Sequence, residues 1–348
     1  MTIRREQIVW LIGVVIIGVI IALPAIQGYK PKLETDAGLL HVMNTEYHFR
    51  VIARRAPAQK AFDAARASAN RVGALMSVYL DRSQLSMFNA SKAGQEIQLD
   101  DQIMDVLRAS RVIYDDTDKT FDVTIQPLIQ LWRTAGKNKS LPDSDALTAA
   151  RAESTWADIE LHDNSAIKTS DTATVNLGGI AKGYAIDKAV SAMQTCGVEN
   201  AAIEIGGDLR CIGPGLDGNG WVVRVQSPFD NDVRIAGLYI RDAAVCTSGN
   251  YERQRIINGK KFSHILDPRN PTRTYSAEYP ASVTVIAPDA MTADAWATAL
   301  SVLGKVGLKL LNAKKHDGIE AMIVVGTSAE DCEMFSTKGY EKLLIDEK

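Results

Sequence analysis

The sequence predicts an α+β fold, mixed sheets with packed helices, following one N-terminal apolar segment, and three observations carry that expectation. Segments that alternate in the manner of strands, such as Trp221 to Gln226, are interspersed with alanine-rich amphipathic stretches, such as Pro57 to Leu80. The two kinds mix without a repeated strand–helix–strand rhythm, which disfavours a doubly wound parallel sheet. The 348 residues are 46% apolar and 23% charged, an ordinary globular composition with enough apolar material for a sizeable core.

The chain opens with an apolar run from Ile8 to Ile26, preceded by Arg4-Arg5 and followed by Lys30 and Lys32. That run is long enough to span a bilayer. No small-residue exit of the cleavable kind follows Leu23-Pro24-Ala25, so the expectation is an uncleaved single-pass anchor in the cytoplasmic membrane. Arg4 and Arg5 then stay inside, and the globular part lies on the outer, periplasmic side. The division is a cytoplasmic N-terminus (1–7), an anchor (8–26), a linker (27–38) and one globular domain (39–348).

Within that domain, Leu39 to Ala53 reads as a strand pair or a bent strand. Pro57 to Leu80 reads as a long helix that tolerates its proline in the first turn. Asp101 to Tyr114 is a second amphipathic helix. In Phe121 to Trp132 the proline at 127 is expected to stop any regular element partway, and Arg133 to Ser140 reads as a polar loop. Thr174-Val175 reads as the end of a strand that leads into a helix, and Ala201 to Ile205 as a strand. Trp221 to Gln226, Ile235 to Cys246, Ser282 to Ala287 and Ala321 to Gly326 complete the predicted strands.

A net charge of −3 and the lack of any dense Lys/Arg run exclude nucleic acid as the main partner. Cys196, Cys211, Cys246 and Cys332 lie far apart, without the Cys-x-x-Cys spacing of a zinc site. Cys196 and Cys211 could pair in an oxidising compartment, or each could serve as a small apolar residue.

Three stretches could carry chemistry. Asn176-Leu-Gly-Gly-Ile-Ala-Lys-Gly-Tyr-Ala-Ile-Asp187 places paired glycines before a helix that carries Lys182 near its start. Such a helix N-terminus favours an anion; the plainer reading is a turn whose glycines relieve crowding. Along Pro288 to Gly304, Asp294 and Thr298 are four apart and share one helix face. A carboxylate and a hydroxyl with main-chain carbonyls suit Mg²⁺; the plainer reading is an exposed acid beside a back-bonded threonine. His264 precedes Ile265-Leu266-Asp267-Pro268, where it is either a structural histidine or a base in a polar cleft. Gly213-Pro-Gly-Leu-Asp-Gly218 imitates a dinucleotide-binding loop, but strand-like residues follow where a helix is required, so it is a turn.

The Asn176 to Asp187 block resembles the signature of the ApbE-type flavin transferases. Met43, Met76 to Asn89, Phe121 to Trp132, Gly206-Gly-Asp208, Thr247 to Tyr251, His264 to Pro268 and Thr292 to Thr298 also look like family segments, in the family's order. The resemblance implies transfer of FMN from FAD to a Ser or Thr hydroxyl of an acceptor protein, with release of AMP. It implies FAD contacts at Met43, Tyr79, Trp132, Arg133, Thr134, Asn176, Lys182 and Leu266. It further implies Mg²⁺ at Asp294, Thr298 and main-chain oxygen near Gly179, with His264 as the base. The chain departs from the family pattern at Asn176, often Asp, and at Arg133-Thr134, where an aromatic-glycine pair is usual. An FAD pyrophosphatase and a non-catalytic flavin-binding protein are the alternative functions.

Overall fold

The computed structural model describes residues 32–53, 55–250, 255–272, 279–313, 316 and 318–345; the expected N-terminus and anchor (1–7 and 8–26) and Tyr251 lie outside these residues. Among the described residues no helix is long and apolar enough to cross a membrane. β1 (Lys32–Leu40) and β2 (Thr45–Ala53) form an antiparallel hairpin, so the expected strand pair begins earlier, within the linker. α1 (Arg55–Met76) follows, shorter at its end than Leu80. The carbonyl of Ser77 takes the hydroxyls of Ser83 and Ser86 at 2.6 and 3.1 Å, which turns the chain into α2 (Gln84–Ala90) instead of continuing the first helix.

β3 (Glu96–Gln98) precedes α3 (Asp101–Asp116), whose N-cap Asp100 accepts the Gln102 amide. α4 (Gln126–Asn138) overturns two expectations, the proline stop and the loop over Arg133 to Ser140. Pro127 falls in the first turn, where a missing N–H costs nothing, so it starts the helix that carries Trp132, Arg133 and Thr134. α5 (Ser144–Glu153) packs on it, and β4 (Ile159–Leu161) and β5 (Ser165–Lys168) join β3 in a small sheet.

α6 (Ala181–Thr195) starts at the paired glycines. β6 (Ala201–Ile205) and β7 (Asp208–Ile212) are joined by Gly206-Gly207, and β8 (Trp221–Gln226) pairs with β9 (Arg234–Ile240). The expected single strand Ile235 to Cys246 is broken at Asp242, whose φ of 52° makes the turn into β10 (Ala243–Gly249). β11 (Arg255–Ile257) and β12 (Lys260–Phe262) form a short hairpin. β13 (Pro280–Ala287), α7 (Ala290–Leu303), α8 (Lys305–Ala313), β14 (Glu320–Gly326), β15 (Cys332–Ser336) and α9 (Lys338–Glu341) end the described chain. Gly213 to Gly218 is a turn, as its sequence predicts.

The main sheet runs β1-β2-β6-β7-β10-β13-β14-β15, with every neighbouring pair antiparallel. Alternation along each strand divides the core. Phe49, Val51, Ile203, Val283 and Val285 face α1, α6 and α7, while Ala202, Cys211, Val245 and Ile286 face Trp221, Val223 and Leu238 of the β8–β9 hairpin. Each large apolar side chain so buried contributes about 1.5–3 kcal/mol. Cys196 and Cys211 are both free thiols and pack on opposite faces of this sheet.

Candidate active site

The glycine stretch is held by side chains and not by a strand ladder, which corrects the expectation for Thr174-Val175. Asn89 donates to the Val175 carbonyl and accepts the Val175 amide, both at 2.8 Å, and the Asn176 amide donates to Val123 at 2.7 Å. An asparagine amide thus replaces the neighbouring strand. The Asn176 side chain then accepts the Gly178 amide at 2.8 Å and donates to Gln126, the first residue of α4, at 2.7 Å. That bond ties the cradle to the helix carrying Trp132 to Thr134.

Gly179 and Gly183 are required for space. A Cβ on Gly179 would lie 3.1 Å from the Thr298 hydroxyl, and one on Gly183 would lie 2.0 Å from the Ala290 carbonyl oxygen. α6 and α7 therefore approach at backbone distance, and the Gly183 amide reaches the Asp294 carboxylate at 3.0 Å. Gly179, Asp294 and Thr298 are thus brought together. Among the described residues no three His, Cys, Asp or Glu side chains form a metal cluster. A cation here would rest on one carboxylate, one hydroxyl and main-chain oxygen, a hard donor set that fits Mg²⁺ with its retained waters and phosphate ligands.

The charges around this corner are buried and matched. Lys182 forms an ion pair with Asp208, whose second oxygen accepts the Thr247 amide at 2.9 Å. Burial works against the charged lysine, but Asp208 and Asp294 outweigh it and hold its pKa above the ordinary value. Burial pushes Asp294 up to about 6 against the pull of Lys182. Cys246 lies beside them and is held well above the ordinary thiol range, first by burial and then by the two carboxylates, so it stays a neutral thiol. Asp187 accepts the Ala290 and Met291 amides, each at 2.9 Å, and pairs with Arg210 at 2.7 Å. It fixes the start of α7, whose N-cap Asp289 accepts Thr292 at 2.8 Å.

A second wing is built around α4. The Arg133 guanidinium lies 4.9 Å from the centre of the exposed Tyr79 ring, and Thr134 beside it is exposed. Trp132 is buried, its indole N–H donating to the Pro271 carbonyl at 2.8 Å and its ring 4.8 Å from Phe262. Leu266 packs in the same small cluster. His264 is half-buried in the turn between β12 and Asp267, where Ser263 accepts the Ile265 amide at 2.9 Å. Met43 stands apart, against Gly73 of α1, where an added Cβ would lie 2.8 Å from its side chain.

Sequence reasoning gave no role to Asp187, although it closes the glycine block, or to Asn89 and Gln126. Asp208 is legible in the sequence as the end of Gly206-Gly-Asp208 and as a reserve candidate base after His264, but not as the partner of Lys182, 26 residues away.

Residues 43–323 match the sequence model of the ApbE family. The chain belongs to the ApbE family. Among its relatives, the FAD:protein FMN transferase of Haemophilus influenzae is 27% identical over 330 residues, 90% of this chain and 92% of that protein. The protein of the same name from Vibrio cholerae is 32% identical over 233 residues, covering 66% and 69%. Among solved structures, the ApbE protein of Thermotoga maritima superposes with a TM-score of 0.79 at 28% identity, covering 90% of this chain and all (100%) of that one. The apo flavinyl transferase ApbE of Pseudomonas stutzeri gives 0.78 at 26% identity, covering 90% and 98%. The cradle, the Gly183–Asp294 contact and the α4 wing all fall within the ApbE match.

Proposed function

We propose that this chain is an Mg²⁺-dependent FAD:protein FMN transferase that moves FMN from FAD onto a Ser or Thr hydroxyl of an acceptor protein. The observation that carries the reading is membership of a family whose named relatives are FAD:protein FMN transferases. In this reaction the acceptor oxygen bonds to the FMN-side phosphorus and the pyrophosphate bridge breaks. AMP leaves with the bridging oxygen.

The residues of the site divide this work. The N-terminus of α6 turns the positive end of its dipole toward the cradle, and Lys182, the second residue of that helix, adds a cation there. Asp294, Thr298 and main-chain oxygen near Gly179 would hold Mg²⁺, which would supply further positive charge beside the phosphates. Tyr79 offers an exposed ring to a flat flavin or adenine group, and Arg133 lies against that ring. Met43, Trp132, Thr134, Asn176 and Leu266 complete the proposed FAD contacts. His264 takes the proton of the attacking hydroxyl.

Residues 8–26 are proposed as an uncleaved single-pass anchor that leaves the catalytic part on the periplasmic side. That placement is supported by the apolar run and by Arg4-Arg5. The reaction is tested by chromatographic measurement of AMP from FAD, with and without Mg²⁺ and with and without acceptor protein. The proposal expects AMP only when metal and acceptor are both present; AMP at full rate without acceptor would indicate a pyrophosphatase instead.

A further inference from the structure

Alternation along β7 turns both Asp208 and Arg210 toward the helices, where they meet Lys182 and Asp187 of α6. The strand carries acid then base and the helix base then acid, so a single register of helix on strand satisfies both pairs. The two arms differ in what lies beyond them. Arg210–Asp187 leads to the start of α7, through the Ala290 and Met291 amides. Lys182–Asp208 leads to the mouth of the glycine cradle. The Asp208 side chain is 2% exposed and that of Lys182 34%, so the carboxylate is sealed while the lysine side chain keeps partial exposure beside the cradle. Asp208 is itself fixed from the side of β10, by the Thr247 amide at 2.9 Å.

We propose that Asp208 is a positioning residue for flavin transfer, holding the Lys182 ammonium at the mouth of the cradle in the one orientation that serves the pyrophosphate. This inference rests on the transferase reading. A lysine on its flexible stem samples many rotamers, whereas one held by a fixed carboxylate presents its charge where charge develops in the reaction. Asp208 touches neither the substrate nor the proposed metal ligands' oxygens in this account; its effect passes through Lys182.

The test is steady-state AMP release and FMN transfer by the full-length chain in detergent, comparing Asp208→Asn, Lys182→Met and the double variant. Asp208→Asn is expected to lower kcat on the order of a hundredfold, as a misplacement of about 1 Å can, while KM for FAD changes less than about threefold. Asp208→Glu should recover part of the rate. Adding Asp208→Asn to Lys182→Met should have no further effect, because the residue to be positioned is gone. A wild-type kcat in Asp208→Asn, or a loss that multiplies in full with that of Lys182→Met, would overturn the assignment. Removing one partner of a buried pair can unfold a protein. If Asp208→Asn melts below the assay temperature, Asp208→Glu decides: a lowered kcat with FAD affinity kept supports the role, and an unchanged kcat ends it. A wild-type chain that releases no AMP overturns the transferase reading, and this inference with it.

Discussion

Gly183→Ala tests whether the backbone approach of α6 to α7 builds the site. The added Cβ would lie 2.0 Å from the Ala290 oxygen, 2.5 Å from its carbonyl carbon and 2.8 Å from the Met291 Cα. Non-bonded heavy atoms settle near 3.5 Å, so the helices must part by about 1.5 Å. The Gly183 to Asp294 hydrogen bond, now 3.0 Å, would then stretch past about 4 Å and cease to be one. Overpacking costs about 1–3 kcal/mol, and the better helix propensity of alanine returns about 1 kcal/mol, leaving a net loss of up to about 2 kcal/mol. In a chain of this size that lowers Tm by up to roughly 8 °C. Displacement of Asp294 and Thr298 relative to Gly179 should cost far more in rate, on the order of a hundredfold. Thermal melts and Mg²⁺-dependent AMP release measure the two effects. A variant that melts with wild type and keeps its full rate would refute the close-packed account of the site.

Asp294→Ala removes the only charged ligand proposed for Mg²⁺ and should abolish turnover while FAD binding, followed by flavin fluorescence, weakens less; retained metal-dependent activity would exclude the site. His264→Ala should lower transfer about a hundredfold or more and leave FAD binding in place. Because burial lifts Asp294 to about 6, activity should fall in acid as that carboxylate takes a proton, and raising Mg²⁺, which competes with the proton, should shift the fall to lower pH. Asp122 is also lifted to about 6 by burial, against two hydrogen bonds from Thr124. Between about pH 4 and 6 the folded chain holds a proton that the unfolded chain has released, so stability falls as pH rises through that window, by roughly 3 kcal/mol in full. Asp122→Asn should therefore gain Tm relative to wild type from pH 4 to pH 7.5, and a pH-independent difference in the melts would refute this. The chain should remain with membranes after a high-salt wash and keep its N-terminal residues by mass; a soluble form starting near Lys30 would show a cleaved signal.

Local patterns foretold much of the fold and less of the site. Asp289 and Gly304 bracket α7 as capping rules require, and the strand periodicity of Ser282 to Ala287 and Ala321 to Gly326 corresponds to β13 and β14. Pro127 misled because one residue both ends helices and opens them, and the difference lies in whether the missing N–H was needed. The β-branched pair Thr174-Val175 reads as a strand, but the partner of Val175 is the Asn89 side chain, which no periodicity reports. Asp294 and Thr298 were legible as a pair because both lie on one helix. The Gly183 amide that meets Asp294 lies 111 residues away, and Asp208 reaches Lys182 across the sheet–helix interface. Such pairings are set by packing, and the sequence marked them only as a glycine in a helix and an acid after two glycines.

Covalent transfer of FMN is read out by intact-mass measurement of an acceptor protein. Acceptor incubated with the chain, FAD and Mg²⁺ should gain the mass of FMN less one water, as a phosphodiester at a Ser or Thr, with one AMP formed per modified chain and no gain with Asp294→Ala. Unmodified acceptor in the presence of FMN and AMP, or of intact FAD, would contradict it.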